Sequence, residues 1–384
     1  MQPLTLPEPR FNSRITHLIF DLEHLRDRSL KGSTPKWLFF DLKDVVHQLE
    51  SLTSARIEGN RTTIMSAVED IIEGSKPTKE ESLLELRNIQ RAIKFIEDQA
   101  NNTRIDRAFI CELHKIAVHD LSPPRRGEGS RHPGRYRSDN ITINNSEHTP
   151  PDYTRVGDLM DELVAFINEP NLSQYDLLKT AVVHHRFAAI HPFDNGNGRT
   201  VRLLTYAMLT KQSFIDDKGF RLLNPSAVFC IDRQKYYDML ARADSGGEEN
   251  MLAWCEYVLE GIKTEIEKID KLLDVDFARR NIIIPALNIA LEKKQMSDKE
   301  YEIMLVAMKK WLFQARDLYP LFGTTPSAKT AISRTLQRMK EQNFIMPHPD
   351  FKQKYVLRFS NNYLLRGVMQ QLDVHNLLPI KPNA

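Results

Sequence analysis

Apolar residues recur every three or four positions through most of the chain, which is the spacing of one face of an α-helix. One such stripe is formed by Leu83, Leu86, Ile89, Ile93 and Ile96. A second stripe, within residues 159–167, repeats the pattern. The periodicity predicts a mainly α-helical protein.

One stretch in the first two thirds departs from the helical pattern. In "GRYRSDNITINNSEHTPP", Ile141 and Ile143 alternate with polar residues before the Asn144–Asn145 pair and two prolines. Alternation with period two, followed by turn-forming residues, is typical of a β-hairpin. We expect a short, edge-like hairpin here.

The pattern changes again after Asn281. Helical spacing over 281–291 and 298–311 is followed by "TTPSAKTAISRTLQRMKEQNFI" and then by "KYVLRF", whose β-branched and aromatic residues favour a strand. This order of elements predicts a C-terminal winged helix-turn-helix domain. We therefore expect an N-terminal helical segment over 1–100, a central core over 101–275 and the winged helix over 281–384.

Composition excludes several classes of protein. The chain has 384 residues, a formal net charge of +2 and three cysteines, which are far apart. An odd, scattered set of cysteines argues against a disulfide framework and against a cysteine-based zinc site. No segment has the features of a signal peptide or approaches the ~20 apolar residues that span a bilayer. We expect a cytoplasmic protein with no membrane partner.

The stretch "HPFDNGNGRTVR", from His191 to Arg202, carries the densest concentration of special residues. A proline disfavours helical geometry at the residue before it, so a helix should stop at His191. A second helix should begin near Gly198 or Arg199. Gly196 and Gly198 can adopt positive φ and admit a ligand close to the backbone.

This loop has the properties of a phosphate site. The free N–H groups and the positive end of the second helix attract an anion. Arg199 and Arg202 lie on one face of its first turn, where two cations oppose the helix dipole unless they bind phosphate. His191, at the rim, can remove a hydroxyl proton near neutral pH. The alternative is a helix stop, a glycine-rich turn and surface arginines.

These residues resemble the signature of the Fic family, His-Pro-Phe-x-Asp/Glu-Gly-Asn-Gly-Arg-x-x-Arg. The resemblance implies a helical Fic core that transfers AMP from ATP to a Ser, Thr or Tyr hydroxyl of a target protein, with Mg²⁺ as the usual metal. His191 would be the general base, and Phe193 would anchor the loop in the core. The anion hole and the phosphate contacts would come from Gly196, Asn197, Gly198, Arg199 and Arg202. The predicted hairpin, Ile141, Thr142 and Ile143, would be the flap that docks the target segment by strand addition.

One position departs from the family pattern. Asn195 stands where the family most often has a metal-binding Asp or Glu, and Asp194 precedes it. An amide oxygen is a weaker Mg²⁺ ligand than a carboxylate. Asn195 and Asp194 are the candidate metal ligands, and the departure puts metal affinity and the rate of AMP transfer in question.

A second resemblance lies upstream in "SARIEGN", Ser54 to Asn60, which is similar to the inhibitory motif of Fic proteins. Ser54 and Glu58 are one helical turn apart, and Gly59 can end that helix. Glu58 could pair with Arg202 and displace the γ-phosphate of ATP. The same carboxylate could direct water, so removal of AMP from a modified side chain is an alternative function.

Two further assignments concern the region after the core. Tyr236 and Tyr237, in "RQKYYDML", are similar to residues that line the family's adenine pocket, although tyrosines on an amphipathic helix are often core residues. Between Thr324 and Arg366 there are eight Lys/Arg against two acidic residues, which favours DNA binding by the winged helix. A basic face for dimerisation or other protein contacts is the alternative. A DNA-binding nucleotide sensor without turnover, self-modification and a homodimer are further expectations.

Overall fold

The computed structural model of the chain describes residues 3–27, 35–74, 76, 78, 80–99, 103–143, 146–216, 221–348 and 350–379. It divides into two compact units. The first comprises the described residues within 1–29, 46–62 and 78–269, and the second those within 30–45, 63–77 and 270–384.

The first unit is built from helices. Their bounds are α1 Arg14–Asp27, α2 Lys36–Ile57, α4 Glu81–Gln99, α5 Arg107–Ala117, α6 Val156–Asn168, α7 Asp176–Ile190, α8 Asn197–Lys211, α9 Pro225–Cys230, α10 Arg233–Asp244 and α11 Glu248–Leu273, with α3 at Ile64–Ile72 in the second unit. Only the part of α2 from residue 46 onward and the part of α11 up to residue 269 belong to this unit. Short 3₁₀ turns at Tyr153–Arg155 and Ser173–Tyr175 precede α6 and α7.

Helices α7 and α8 form the centre of the first unit. They pack against each other, while α4 and α5 pack on α8 and α6 packs on α7. Almost every side chain of α7 and α8 is buried, as expected for helices that have neighbours on all sides. Trp254 of α11 is fully buried and donates its indole N–H to the Ala181 carbonyl at 2.8 Å. The loop between α7 and α8 is therefore held by a rigid pair of helices.

The second unit combines helices with a small sheet. The helices are α12 Val275–Phe277, α13 Ile284–Glu292, α14 Asp298–Lys310, α15 Tyr319–Phe322, α16 Pro326–Glu341 and α17 Leu364–Val374, with a π-helical turn at Ala278–Ile283 and a 3₁₀ turn at Ala315–Leu318. The strands are β1 Phe313–Gln314, β2 Ile345–His348 and β3 Phe351–Leu357, in the antiparallel order β1-β3-β2.

Local chemistry explains where the helices of this unit start. Ser297 and Glu300 form a reciprocal capping box at the start of α14. Thr325 caps α16, whose first residue is Pro326. In β2 and β3, Ile345 faces Leu357 and Met346 faces Val356 across the ladder. These are the C-terminal helices and strand pair that the sequence predicts.

The mainly helical prediction is confirmed, but the flap differs from the expected hairpin. Residues 138–143 and 146–151 contain no strand, and the Asn144–Asn145 turn lies outside the described residues. Two main-chain carbonyls at its base, those of Asp139 and Pro151, accept hydrogen bonds from Arg137 instead of from an opposing strand. Among the helices described, none has the length and apolar character needed to cross a bilayer. The three-part domain division stays a prediction.

Candidate active site

His191 ends α7 in a left-handed backbone conformation, with φ 50° and ψ 60°. Its N–H still donates to Phe187 at 3.0 Å, so the chain leaves the helix only after this residue. Gly196 also adopts a left-handed conformation, with φ 75°, and precedes the first turn of α8. A side chain at Gly196 would come within 2.7 Å of Val118, so glycine is required there for two reasons.

The imidazole of His191 is arranged as a proton acceptor. Its Nδ1 lies 3.3 Å from the Ala188 carbonyl. A carbonyl can only accept, so Nδ1 carries the hydrogen and Nε2 keeps its lone pair. Burial lowers the pKa of His191 to about 4. The ring is therefore neutral at physiological pH, as a general base must be.

Phe193 holds the loop in the core. Its ring is fully buried and stacks on His114, with ring centres 3.7 Å apart and planes within 3°. His114 accepts from the Gly134 N–H through Nδ1 at 2.9 Å and therefore donates through Nε2 to the Asn195 carbonyl at 3.0 Å. Burial lowers the pKa of His114 to about 4, which keeps this arrangement neutral. His114 was not predicted from the sequence, since a histidine on an apolar helix face looks like an ordinary core residue.

The side chain of Asn197 braces the loop. Its Oδ1 accepts from the Phe193 N–H at 2.9 Å, and its Nδ2 donates to the Phe193 carbonyl at 2.8 Å. Both polar atoms of the amide are used within the loop. Asn197 can therefore contribute to an anion hole only through its main-chain N–H, at the start of α8.

The SARIEGN segment meets the arginines where the resemblance implies. Arg202 donates from Nε to the Ser54 hydroxyl at 2.9 Å and from Nη2 to the Ser54 carbonyl at 2.9 Å. The same Nη2 donates to Glu58 Oε1 at 2.8 Å. Gly59 has φ 99° and follows the last turn of α2. Ser54, Glu58 and Arg202 thus form one cluster, in which Ser54 and Arg202 are buried and Glu58 is half-buried.

Glu58 occupies the space above the start of α8. A side chain on Gly198 would collide with Glu58 Oε1. Burial opposes ionisation of Glu58, but the charges of Arg202 and Arg199 outweigh it and hold the pKa of this carboxyl below its usual value. An ionised carboxylate therefore lies against the N-terminus of a helix, in the place that suits a phosphate.

Arg199 has a carboxylate partner of its own. Its Nη1 lies 3.2 Å from Glu85 Oε1, and both side chains are buried. Asn60, two residues after Glu58, donates to Glu85 Oε2 at 2.7 Å. Glu85 was missed by the sequence analysis because it lies in an ordinary amphipathic helix.

Both arginines keep N–H groups with no hydrogen-bond partner among the described residues. These are Nε of Arg199 and Nη1 of Arg202, whereas Nη1 of Arg199 has its ion pair with Glu85. Unsatisfied buried donors are costly, and a bound polyphosphate would satisfy them. The cradle therefore fits the phosphates of a nucleotide.

The two candidate metal ligands have other partners. Asn195 donates from Nδ2 to the Gly129 carbonyl at 3.0 Å and accepts from the Gly196 N–H at 2.8 Å. Both Asp194 oxygens are engaged, by the Ser130 hydroxyl and by the Arg131 N–H. No group of three metal-binding side chains occurs in the described part of the chain. These residues do not fit a preformed Mg²⁺ site, and no chemical step is assigned to a metal.

The two tyrosines differ in environment. Tyr236 is 3% exposed, and its hydroxyl lies 3.0 Å from Nε2 of the buried His184. Tyr237 is 39% exposed, with the Arg233 guanidinium over its ring. Tyr236 is thus part of the core as the structure stands, and a contact of either ring with adenine stays a prediction.

Comparisons with known proteins agree with this geometry. Residues 104–209 match the model of the Fic/DOC family. The chain is 32% identical over 205 residues to a protein named protein adenylyltransferase Fic from Nematostella vectensis, which is 50% of this chain and 42% of that protein. It is 27% identical over 199 residues to a protein of the same name from Aedes aegypti, 50% of this chain and 36% of the relative. The chain spans about two fifths of the length of these relatives.

Solved structures share the fold. A Fic family protein from Desulfovibrio desulfuricans is similar with a TM-score of 0.57 and 20% identity, over 93% of this chain and 98% of that one. A Fic domain containing signaling protein from Bacteroides thetaiotaomicron gives a TM-score of 0.50 at 17% identity, over 68% and 97% of the two chains. His191 to Arg202 lie within the residues that match the Fic/DOC family model.

Proposed function

We propose that the protein is a self-inhibited adenylyltransferase that moves AMP from ATP to a Ser, Thr or Tyr hydroxyl of a target protein. The observation that carries the proposal is the pairing of a neutral His191, with a free Nε2, and an arginine-lined cradle at the start of α8. A base beside a phosphate site is what transfer to a hydroxyl requires. The names of the curated relatives support the same activity.

In the proposed reaction, the target hydroxyl attacks the α-phosphorus of ATP. The oxygen–phosphorus bond forms while the bond from the α-phosphorus to its bridging oxygen breaks, and pyrophosphate leaves. His191 Nε2 takes the hydroxyl proton. Arg199 and Arg202 balance charge on the β- and γ-phosphates, and the main-chain N–H groups at the start of α8 contribute further donors.

Self-inhibition rests on the position of Glu58. Its ionised carboxylate pairs with Arg202 and fills the space over Gly198. A γ-phosphate and a carboxylate cannot share that position, because both are anions and both need the same guanidinium. ATP would then bind with its phosphates displaced from the orientation needed for attack.

The test is transfer of label from α-phosphate-labelled ATP to protein by three forms of the full chain. We expect weak labelling by the native chain and at least about ten-fold more by Glu58→Gly, since the competing anion is gone. Adding His191→Ala to Glu58→Gly should abolish the gain. Absence of label from the Glu58→Gly form, with nucleotide still bound, would refute AMP transfer.

Removal of AMP from a modified side chain is the second candidate. It is favoured by the ionised state of Glu58 and by the electrostatic interaction of this carboxylate with His191. A carboxylate in that position could orient water toward a phosphorus atom. Chains labelled by Glu58→Gly would then lose AMP when mixed with native chain, but keep it when mixed with Glu58→Gln.

We further propose that α14, α16 and the β2–β3 pair form a winged helix that binds duplex DNA. Lys329, Ser333 and Arg334 are exposed on α16. The basic surface is smaller than the sequence count implies, because Arg358 pairs with Asp41 and Arg366 pairs with Glu69. Lys354, on β3, is the basic residue of the proposed wing whose side chain the structure describes.

A further inference from the structure

Arg137 is a buried arginine that binds main-chain carbonyls. Only 5% of the residue's surface is exposed. Nε donates to the His191 carbonyl at 3.0 Å, Nη1 to Asp139 at 3.0 Å, and Nη2 to Pro151 and, at 3.5 Å, to Ile190. In addition, its own N–H donates to the Pro192 carbonyl at 2.8 Å.

These five bonds connect two features of the proposed site. Ile190, His191 and Pro192 are the turn that carries the general base. Asp139 and Pro151 are the two ends of the flap. No other described side chain bonds both to that turn and to both flap ends.

The charge of Arg137 is not balanced by an ion pair among the described residues. Burial lowers the pKa of this guanidinium, although it remains a strong base. The positive charge of Arg137 is stabilised by carbonyl oxygens, including those at the negative C-terminal end of α7. A planar guanidinium with five donors can bind such a set of acceptors, whereas a lysine ammonium has three donors and no fixed plane.

A second clamp closes the flap without touching the catalytic turn. Asn140 donates to Asp152 at 2.9 Å and accepts from the Tyr153 N–H at 2.9 Å. A pocket of about 230 Å³ opens beside it, lined among others by Arg137, Ile141 and Asp194. The segment that would dock a target thus begins at Arg137 and borders a cavity next to the signature loop.

We propose that Arg137 is a positioning residue that fixes the His191 turn and the target-docking flap relative to each other. Through it, the hydroxyl held by the flap would arrive within reach of His191 Nε2. This proposal rests on the proposed AMP transfer. It assigns to Arg137 no contact with ATP and no proton transfer.

The competing explanation is a buried arginine that only stabilises the fold. In that case Arg137→Lys would lower stability and reduce all activities in proportion to the folded fraction. Arg186 is the matched control, since it is also a buried arginine, on α7, and lies 4.0 Å from Glu162. Its ion-pair partner Glu162 lies on α6, which belongs neither to the flap nor to the His191 turn.

The experiment compares Arg137→Lys, Arg186→Lys and Asn140→Ala, each in the Glu58→Gly chain. Automodification from labelled ATP gives the rate and the KM for ATP, and hydrogen–deuterium exchange reports on residues 138–153 and 186–192. We expect Arg137→Lys to lower the rate about hundred-fold at unchanged KM for ATP, since small displacements of reacting groups have effects of that size. Exchange should rise in both segments together.

The two other variants should separate the effects. Asn140 is exposed, and Asn140→Ala should raise hydrogen–deuterium exchange in the flap alone. It should lower the rate less than Arg137→Lys does. Arg186→Lys should leave both the rate per folded chain and the exchange at the flap unchanged.

Three results would overturn the proposal: a rate within about two-fold of the parent in Arg137→Lys, an equal loss in Arg186→Lys, or increased exchange in only one of the two segments. If Glu58→Gly itself transfers no AMP, the proposed function fails. The exchange measurement still decides whether Arg137 couples the two segments.

Discussion

At the scale of single residues, His191 has the backbone, hydrogen bond and pKa of a proton acceptor. Its backbone is left-handed, its Nδ1–H is donated to Ala188, and burial brings its pKa to about 4. The depressed pKa means that the neutral, basic form persists at every pH above about 4. A histidine with an unperturbed pKa would lose its neutral form below about pH 6.5.

The pH dependence of AMP transfer follows from this lowered pKa of His191. We expect the Glu58→Gly chain to label protein at nearly the same rate from about pH 7.5 to pH 5.5, with loss only as the pH approaches 4. Rates under saturating ATP, corrected for the folded fraction, would measure this. A fall by half near pH 6.5 would show that His191 has an ordinary pKa and is not buried as described.

Asn195, the departure from the family signature, has a structural explanation. It both donates to Gly129 and accepts from Gly196. In Asn195→Asp a carboxylate, which has no N–H, would face the Gly129 carbonyl. We expect a loss of about 1–3 kcal/mol in the free energy of unfolding, the usual effect of an unsatisfied buried polar group.

Urea unfolding of the full chain would measure the effect of Asn195→Asp. Asn250→Asp is the control, because Asn250 Nδ2 also donates to a carbonyl, that of Gly246, while its Oδ1 accepts from Arg242, whose charge would stabilise a carboxylate. Little change is expected there. If Asn195→Asp and the native chain were equally stable, the Asn195 amide would not stabilise the loop.

At the scale of elements, the end of α2 meets the start of α8 at the site of the proposed self-inhibition. Arg202 bonds to three acceptors on α2 and just after it, and only one of them is the Glu58 carboxylate. If Glu58 inhibits as proposed, we expect α2 to contribute through Ser54 as well.

Replacing the serine should release the inhibition in part. We expect Ser54→Ala to raise labelling several-fold but less than Glu58→Gly does, because the main-chain bond from Arg202 to Ser54 and the pairing with Glu58 both remain. Ser51→Ala is the control, since Ser51 is equally buried in α2 and its hydroxyl donates to Gln48. An increase as large in Ser51→Ala would mean that any weakening of α2 has the same effect.

Sequence predicted these elements unevenly. The stop of α7 at His191 and the start of α8 followed from His-Pro and the glycines, which act locally. The flap did not form the expected strands: the carbonyls at its ends accept hydrogen bonds from Arg137 rather than from N–H groups of an opposing strand. Arg137, His114 and Glu85 were not found, since each acts on residues far away in sequence and none belongs to a recognisable motif. Tyr236 and Tyr237 were assigned to the adenine pocket by resemblance, with a core role as the alternative. Tyr236 is buried, and the adenine contact stays a prediction.

At the scale of the whole molecule, α2 is shared between the two compact units. Residues 46–62, with Ser54 and Glu58, belong to the first unit, whereas residues 30–45 and 63–77 on either side belong to the second. The inhibitory segment is therefore continuous in sequence with both units. This arrangement could not be predicted from periodicity, which shows only that α2 is a helix.

DNA binding is the prediction that concerns the second unit. We expect Lys329→Glu combined with Arg334→Glu to weaken binding of a duplex and to reduce the salt dependence of binding by about two phosphate contacts. Lys293→Glu with Lys309→Glu makes the same change in charge at exposed positions outside α16. If both double variants bind DNA alike, the face of α16 is not the contact surface.

The central claim, transfer of AMP by a chain restrained by Glu58, has one most direct measurement. The Glu58→Gly chain would be incubated in parallel with ATP labelled at the α-phosphate and with ATP labelled at the γ-phosphate. We expect protein label only from ATP labelled at the α-phosphate, and we expect that label to be lost on adding His191→Ala. Label from the γ-phosphate, or α-label that persists without His191, would contradict it.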